Sequence, residues 1–264
     1  IWCYWSQGNN KLDNLSKLCI NNWKRHLTKG YKINILSKKK FLKIQTEIDK
    51  NFFNKLTYQQ QSDIVRLYLL YQFGGIWIDI STILTNDLSW VIDKFNKGYE
   101  IVGFYVEYPF HKKSKHLFES WFIAVNKPYN YIIFNWKKTF LNILQNDIIY
   151  SDKWRKADKS TIPFRHRKYL SIHVANLWCI QNNDKYKKMY NNNVYVYKAN
   201  TTALVCMNFD SIFTKGIGSN INFPMIKLTS ADRSILKYFY SARLKNIINK
   251  NIETTYIKHS MLIQ

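Results

Sequence analysis

Residues 62–82, SDIVRLYLLYQFGGIWIDIST, are the stretch on which the reading of this chain turns. The first half predicts a helix from about Thr57 to Phe73. Ile64, Leu67, Tyr68 and Tyr71 form its apolar stripe, and Gly74 is placed as a left-handed stop. The next residues, IWIDI, read as a strand in which Ile76, Ile78 and Ile80 alternate with Trp77 and Asp79. Apolar cover on nearly both faces belongs to strands inside mixed or parallel sheets, with layers on each side. A carboxylate in such a strand is costly unless it is paired, bound to a cation, or placed at the mouth of the sheet. Asp79 therefore needs a partner. Upstream, Asp63 and Arg66 stand three apart, on one helical face opposite the stripe. Taken alone, that spacing describes a surface ion pair of little worth.

Working outward, IWCYWSQG (1–8) reads as a strand that runs into a loop at Gln7-Gly8, followed by a helix from about Leu12 to Leu27 that ends near Gly30. YKINIL (31–36) is a second strand. Strand, helix, strand is the opening of an α/β unit with parallel strands. Downstream we expect a strand at 99–108, a strand or short helix at 117–125 and a helix at 127–146. A polar, basic loop or lid at 151–167, a helix at 170–181, a strand at 193–199 and a C-terminal helix complete the pattern. No internal repeat appears, and the expected organisation is a single domain over residues 1–264. In open α/β sheets ligands bind outside the carboxyl ends of the strands. That rule points to the Trp5–Gly8 loop, the end of the second strand, and Asp79 with Ser81.

A chain of 264 residues with 46% hydrophobic and 17% aromatic content is long and apolar enough for a sizeable core, which excludes disorder. The formal charge of +23 fits an anionic partner, although Lys, Asn, Ile and Tyr are also abundant together, as an AT-rich gene produces. The basic residues are scattered, with short clusters at 38–40 and 112–115. No nucleic-acid-binding signature is present, so no specific nucleic acid is expected. Peripheral contact with an anionic membrane surface stays compatible with the charge. Cys3, Cys19, Cys179 and Cys206 form no CxxC and read as buried thiols of a reducing compartment. There is no 18-residue uncharged apolar run and no signal-peptide pattern, so the expected location is cytoplasmic. The chain opens on Ile1 instead of Met, which leaves room for an upstream segment.

The 62–82 stretch resembles the signature of sugar transferases with a DxD motif, roughly S-D-[IL]-x-R-x-x-x-L-x-x-[YF]-G-G-[IV]-[WY]-x-D. It is most similar to the capsular polysaccharide synthesis protein family, relatives of yeast-type initiating mannosyltransferases and of glucosylating clostridial toxins. IWCYWSQG resembles the family's opening strand and W-x-Q-G turn, ESWFIA (119–124) its E-x-W-F-I segment, and MIKLT (225–229) its late K-L-T element. The resemblance implies an α/β, GT-A-type nucleotide-sugar-binding fold, with a mixed, mostly parallel central sheet flanked by helices. It implies a glycosyltransferase that moves a sugar from a nucleotide-diphospho-sugar donor to a saccharide, glycan or other hydroxyl acceptor. Polysaccharide or glycan synthesis, retention of configuration and Mn²⁺ or Mg²⁺ as cofactor come with it.

Carried over by position, Trp5 stacks on the donor base within the turn that holds Gln7 and Gly8, and Asp63 and Arg66 hold the donor sugar. Asp79 contacts the ribose, the sugar or the metal, while Lys227 and Thr229 close over the diphosphate. Glu119 faces the sugar or serves as base for the acceptor hydroxyl, with a solvated loop carboxylate as the competing reading. Trp121 and His173 read as core. Two positions depart from the family pattern. Ser81 replaces the second acid of DxD and offers a metal only a neutral oxygen, a poor hard-cation ligand. Ser37 stands where an acidic residue often follows the second strand.

The chemistry can also be stated from the residues. A departing diphosphate needs its charge balanced by a cation or by lysine and arginine donors, and this chain is rich in lysine. The rival class is a non-catalytic basic binding module, or a transferase relative made inactive by Ser81. Donor binding and turnover separate these.

Overall fold

The computed structural model describes residues 1–27, 30–106, 117–146, 162, 168–204, 224–230 and 232–234. In chain order the elements are β1 (Trp2–Tyr4), α1 (Asn14–His26), β2 (Asn34–Leu36), α2 (Lys38–Ile44), α3 (Lys50–Lys55), α4 (Tyr58–Phe73), β3 (Gly75–Ile78) and β4 (Thr82–Leu84). There follow α5 (Ser89–Asn96), β5 (Ile101–Val106), β6 (Leu117–Val125), α6 (Tyr131–Asn146), α7 (Ser171–Asn182), α8 (Asp184–Asn193), β7 (Val194–Lys198) and β8 (Met225–Lys227). They group into two compact units. The first comprises Ile1–Asn10, Asn34–Ile78 and Val91–Tyr197, and the second Lys11–Ile33, Asp79–Trp90 and Lys198–Gln264.

The first unit is built on a six-stranded sheet in the order β2-β1-β3-β6-β5-β7. The expected mixed sheet with flanking helices is present: β1 runs parallel to β2 and β3, while β6 is antiparallel to β3 and to β5. Helix α4 packs against β1, β3 and β6 on one side and against α6 on the other. Its middle is therefore buried all round, from Asp63 through Leu70. This removes the alternative in which Asp63 and Arg66 form an ordinary surface ion pair. An i, i+3 spacing identifies a shared face but cannot say whether a second layer covers it.

Local chemistry sets the ends of α4. Thr57 and Gln60 form a reciprocal capping box at its start. At its end Gly74 and Gly75 adopt φ of +63° and +87°. A Cβ on Gly74 would come within 3.0 Å of the Lys127 backbone, and one on Gly75 within 3.1 Å of the Trp2 indole nitrogen. That indole N–H donates to the Gly74 carbonyl at 2.9 Å. The glycine pair thus stops the helix and starts β3 in one step.

Two further expectations are corrected, and one left open between strand and helix is resolved. β3 ends at Ile78, so Asp79 and Ile80 lie outside the ladder and are half-buried, and Asp79 does not interrupt a buried strand. Residues 117–125 are strand throughout. Helix α6 begins at Tyr131 and not at Lys127, because Asn130 Oδ1 accepts from the backbone N–H groups of Ile132 and Ile133 and so marks the start.

In the second unit β4 and β8 form an antiparallel pair, with Thr82 opposite Lys227. Helix α1, capped by Asp13 at Ser16 N–H, grips β4 through side chains. Asn22 donates to and accepts from the backbone of Leu84 at 2.9 and 2.7 Å, and the Trp23 indole donates to Thr82 O at 2.7 Å. These satisfy the edge of a two-stranded ribbon that would otherwise be marginal.

Cys3, Cys19 and Cys179 are buried free thiols, as expected. Cys206, the 112–115 cluster, almost all of the 151–167 loop, GIGSN (216–220, a weak candidate phosphate loop) and most of the C-terminal helix lie outside the described residues. Among the described residues no helix is long and apolar enough to cross a membrane.

Candidate functional site

Because β1, β2 and β3 are parallel, their carboxyl ends share one edge of the first unit's sheet. The Trp5–Gly8 turn sits there, laced to the end of β2. Trp5 N–H donates to Leu36 O at 2.9 Å, Lys38 N–H donates to Ser6 O at 3.1 Å, and Gly8 N–H closes the turn onto Trp5 O at 2.8 Å. Trp5 and Gly8 are half-buried and Gln7 is exposed. Ser37 has local work, since its hydroxyl accepts from Lys40 N–H and caps α2.

Glu119 lies at the same edge. In β6, Phe122 pairs with Ile78, so the residues that precede it extend beyond the carboxyl end of β3. On the other side the pairing jumps from Gly103–Ile123 to Phe104–Glu119, leaving Ser120–Phe122 as a bulge against β5. Bulges re-aim side chains and are common beside active sites. Glu119 itself is half-buried. Trp121, in the bulge, is stacked on Phe104 at 4.5 Å between ring centres and belongs to the core.

Asp63 and Arg66 form an ion pair whose side chains are each 3% exposed. The guanidinium also lies over the Trp77 ring, 4.8 Å from its centre. Nearby, His173 is held down to about 3 by burial and then by the Arg66 charge, so at neutral pH it is an uncharged core residue, as expected.

The second unit gathers the charges of the signature's end. Asp79 Oδ2 accepts from Lys227 Nζ at 3.2 Å, and the same ammonium donates to Ser81 Oγ at 2.6 Å. Backbone pairing explains the convergence: Thr82 faces Lys227, and Leu228 N–H donates to Ser81 O at 2.9 Å. Arg233, which sequence reasoning missed, donates from Nη1 to the same Ser81 hydroxyl at 3.3 Å. Thr229 is committed elsewhere. Its N–H and Oγ1 both donate to Asp232 Oδ2, at 2.6 and 2.7 Å, and Asp232 N–H returns a bond to Thr229 Oγ1. This is the S/T-x-x-D/E capping arrangement, and it was the one signal in TSADR (229–233) that a helical turn presents Arg233. Beneath the cluster, burial pushes the Cys19 thiol up to about 12, against the pull of Lys227 and Arg233, so it is no nucleophile.

The predicted residues thus fall into local groups: the Trp5 turn and Glu119 at one sheet edge, the Asp63–Arg66 pair inside the first unit, and Asp79, Ser81 and Lys227 together in the second. Residues 1–259 match the sequence profile of the family described as capsular polysaccharide synthesis protein. The chain belongs to this family. Over 123 residues it is 29% identical to the O-glycosyltransferase braB of Annulohypoxylon truncatum, a match that takes in 40% of this chain. The match covers only 29% of that relative's length. Among solved structures, the PaToxG glycosyltransferase is similar at 17% identity and a TM-score of 0.38, over 73% of this chain and 82% of that one.

The divalent cation implied by the resemblance must fit the donor set of this chain. Mn²⁺ and Mg²⁺ need several hard oxygen ligands. Here Asp79 supplies one carboxylate, already paired with Lys227, and the Ser81 oxygen accepts from both Lys227 and Arg233. Among the described residues no group of three or more His, Cys, Asp and Glu is placed to hold a metal ion. As arranged, the side chains around Ser81 do not form a divalent-cation site of their own.

Proposed function

We propose that this family member is a glycosyltransferase, a single GT-A-type domain that uses a nucleotide-diphospho-sugar donor in polysaccharide or glycan synthesis. The observation that carries the reading is the convergence of Lys227 on Asp79 and Ser81, the end of the signature, across 148 and 146 residues of chain. A ribbon that brings lysine to the signature acid provides what a departing diphosphate requires, fixed donors in a partly water-excluded setting.

In the reaction the bond between the sugar's anomeric carbon and the diphosphate oxygen breaks, and a bond to the acceptor oxygen forms. The nucleoside diphosphate leaves with the electron pair, and the acceptor's proton passes to a base. Lys227 binds the leaving phosphate. Asp79 orients that ammonium and takes a hydrogen bond from a donor hydroxyl. By the family resemblance, Trp5 stacks on the base and Glu119 serves the acceptor hydroxyl. Asp63 and Arg66, each only 3% exposed, act on the donor sugar through the fold they hold and not by direct contact. Retention of configuration rests on the family resemblance.

The test is a panel of nucleotide sugars, read by thermal shift for binding and by chromatography for release of nucleoside diphosphate. One donor should stabilise the protein and be turned over, and Lys227→Ala should lower turnover. Stabilisation by oligonucleotides with steep salt dependence, and by no nucleotide sugar, would replace the transferase with a basic binding module.

A further inference from the structure

We propose that Arg233 is a diphosphate-binding residue which, together with Lys227, balances the leaving-group charge at the Ser81 hydroxyl in place of a divalent metal. The proposal rests on the transferase reading above and adds a residue and a charge source to it. Every bond that Arg233 makes goes to a neutral acceptor: Nη1 to Ser81 Oγ at 3.3 Å and to Leu228 O at 3.0 Å, and Nη2 to Ser230 Oγ at 3.0 Å. Among the described residues no carboxylate lies within ion-pair distance of its guanidinium. Asp232, its neighbour in sequence, is turned to Thr229.

A guanidinium has five N–H donors, so the three bonds hold its plane in place and leave two donors for a ligand. Fixed orientation without a counter-charge is what a preorganised anion site needs, because little has to move when the anion arrives. Lys227 donates to the same Ser81 oxygen, which places the two cationic nitrogens within about 6 Å of each other, and the single Asp79 carboxylate paired with Lys227 leaves the cluster net positive, so it attracts an anion. A pyrophosphate group, with several acceptor oxygens, can engage both. As the bond from the anomeric carbon to the phosphate oxygen breaks, that oxygen gains charge and the two sets of N–H bonds to it strengthen. Ser81 serves here as the shared acceptor that aligns the two cations.

The test titrates the full chain with inorganic pyrophosphate by calorimetry, in EDTA and in Mn²⁺. The variants are Arg233→Ala, Arg233→Lys and Ser81→Asp, with folding checked by circular dichroism. Wild type should bind in EDTA with no gain from Mn²⁺. Arg233→Ala should weaken binding tenfold or more, and Arg233→Lys should recover part of the loss. Ser81→Asp should weaken binding too, because its carboxylate would occupy both cations. If Arg233→Ala does not fold, the other two variants decide. Binding that needs Mn²⁺, that tightens in Ser81→Asp only with Mn²⁺, or that ignores Arg233 overturns the proposal. Donor turnover is measured separately in EDTA. Turnover that is unchanged in Arg233→Ala removes this inference and leaves the transferase, whereas Arg233-dependent pyrophosphate binding without turnover of any donor leaves the anion site and removes the transferase.

Discussion

Two ion pairs from one signature have opposite characters. Asp63–Arg66 is local in sequence and closed off, each side chain 3% exposed, with the Trp77 ring against the guanidinium. Asp79–Lys227 joins residues 148 apart and stays open, at 29% and 11% exposure, with its lysine shared by Ser81. Burial decides what each pair does for the protein. A charge enclosed in the first unit cannot be rehydrated when its partner is removed, so the fold depends on the pair. A charge at the second site can be rehydrated or exchange partners, so a ligand can use it.

The strongest test of this contrast is Asp63→Ala. It removes the carboxylate that faces the buried Arg66 charge and should lower stability by about 3–5 kcal/mol, read as the urea midpoint. Replacing both residues with apolar side chains of similar size should restore most of the loss. A drop below about 1 kcal/mol, the range of exposed pairs, would erase the distinction between the two regions.

Asp79→Asn should do the reverse. Donor turnover should fall at least about a hundredfold, roughly 2.7 kcal/mol in the barrier, while the melting temperature stays near that of wild type. Loss of stability comparable to Asp63→Ala would mean that the open pair is structural after all.

Trp5→Ala sharpens the picture at the sheet edge. Base stacking contributes roughly 1–3 kcal/mol, so donor affinity should fall ten- to a hundredfold with the fold retained. Unchanged affinity would return Trp5 to packing. The neighbouring indole of Trp2 is committed to the Gly74 carbonyl.

The smallest effect concerns pH. His173 has its folded value depressed to about 3 from 6.5, first by burial and then by Arg66. Below pH 6.5 the unfolded chain takes up the proton and the folded chain does not. The stability tied to neutral His173 is therefore present above that pH and is lost as pH falls toward 3. Between pH 7.5 and 5.5 it should contribute a decline of about 1.4 kcal/mol, and His173→Gln should remove that part of the pH dependence.

Much of the fold was legible because it depends on local rules. The Thr57 capping box, the Gly74-Gly75 stop and the strand-helix-strand opening are all written within a few residues of where they act. The end of β3 was misread for the same reason: alternation continues through Ile80, while the ladder stops at Ile78 because pairing depends on the neighbouring strand. The 62–82 stretch also named residues of the candidate site and, through the resemblance, offered Ser81 to a metal as a neutral oxygen. The structure places Ser81 under two cations and Ser37 at the start of α2.

By itself, then, the sequence determined the helix and strand types, the sheet edge where the Trp5 turn belongs, and the family signature that marks Asp63, Arg66 and Asp79. Tertiary structure alone decided which carboxylate is sealed and which is open, because burial depends on layers contributed by distant segments such as α6 over α4. It also decided that Arg233 joins Lys227 at Ser81, since a lone arginine has no periodicity to betray it and only the pairing of β4 with β8 brings it there.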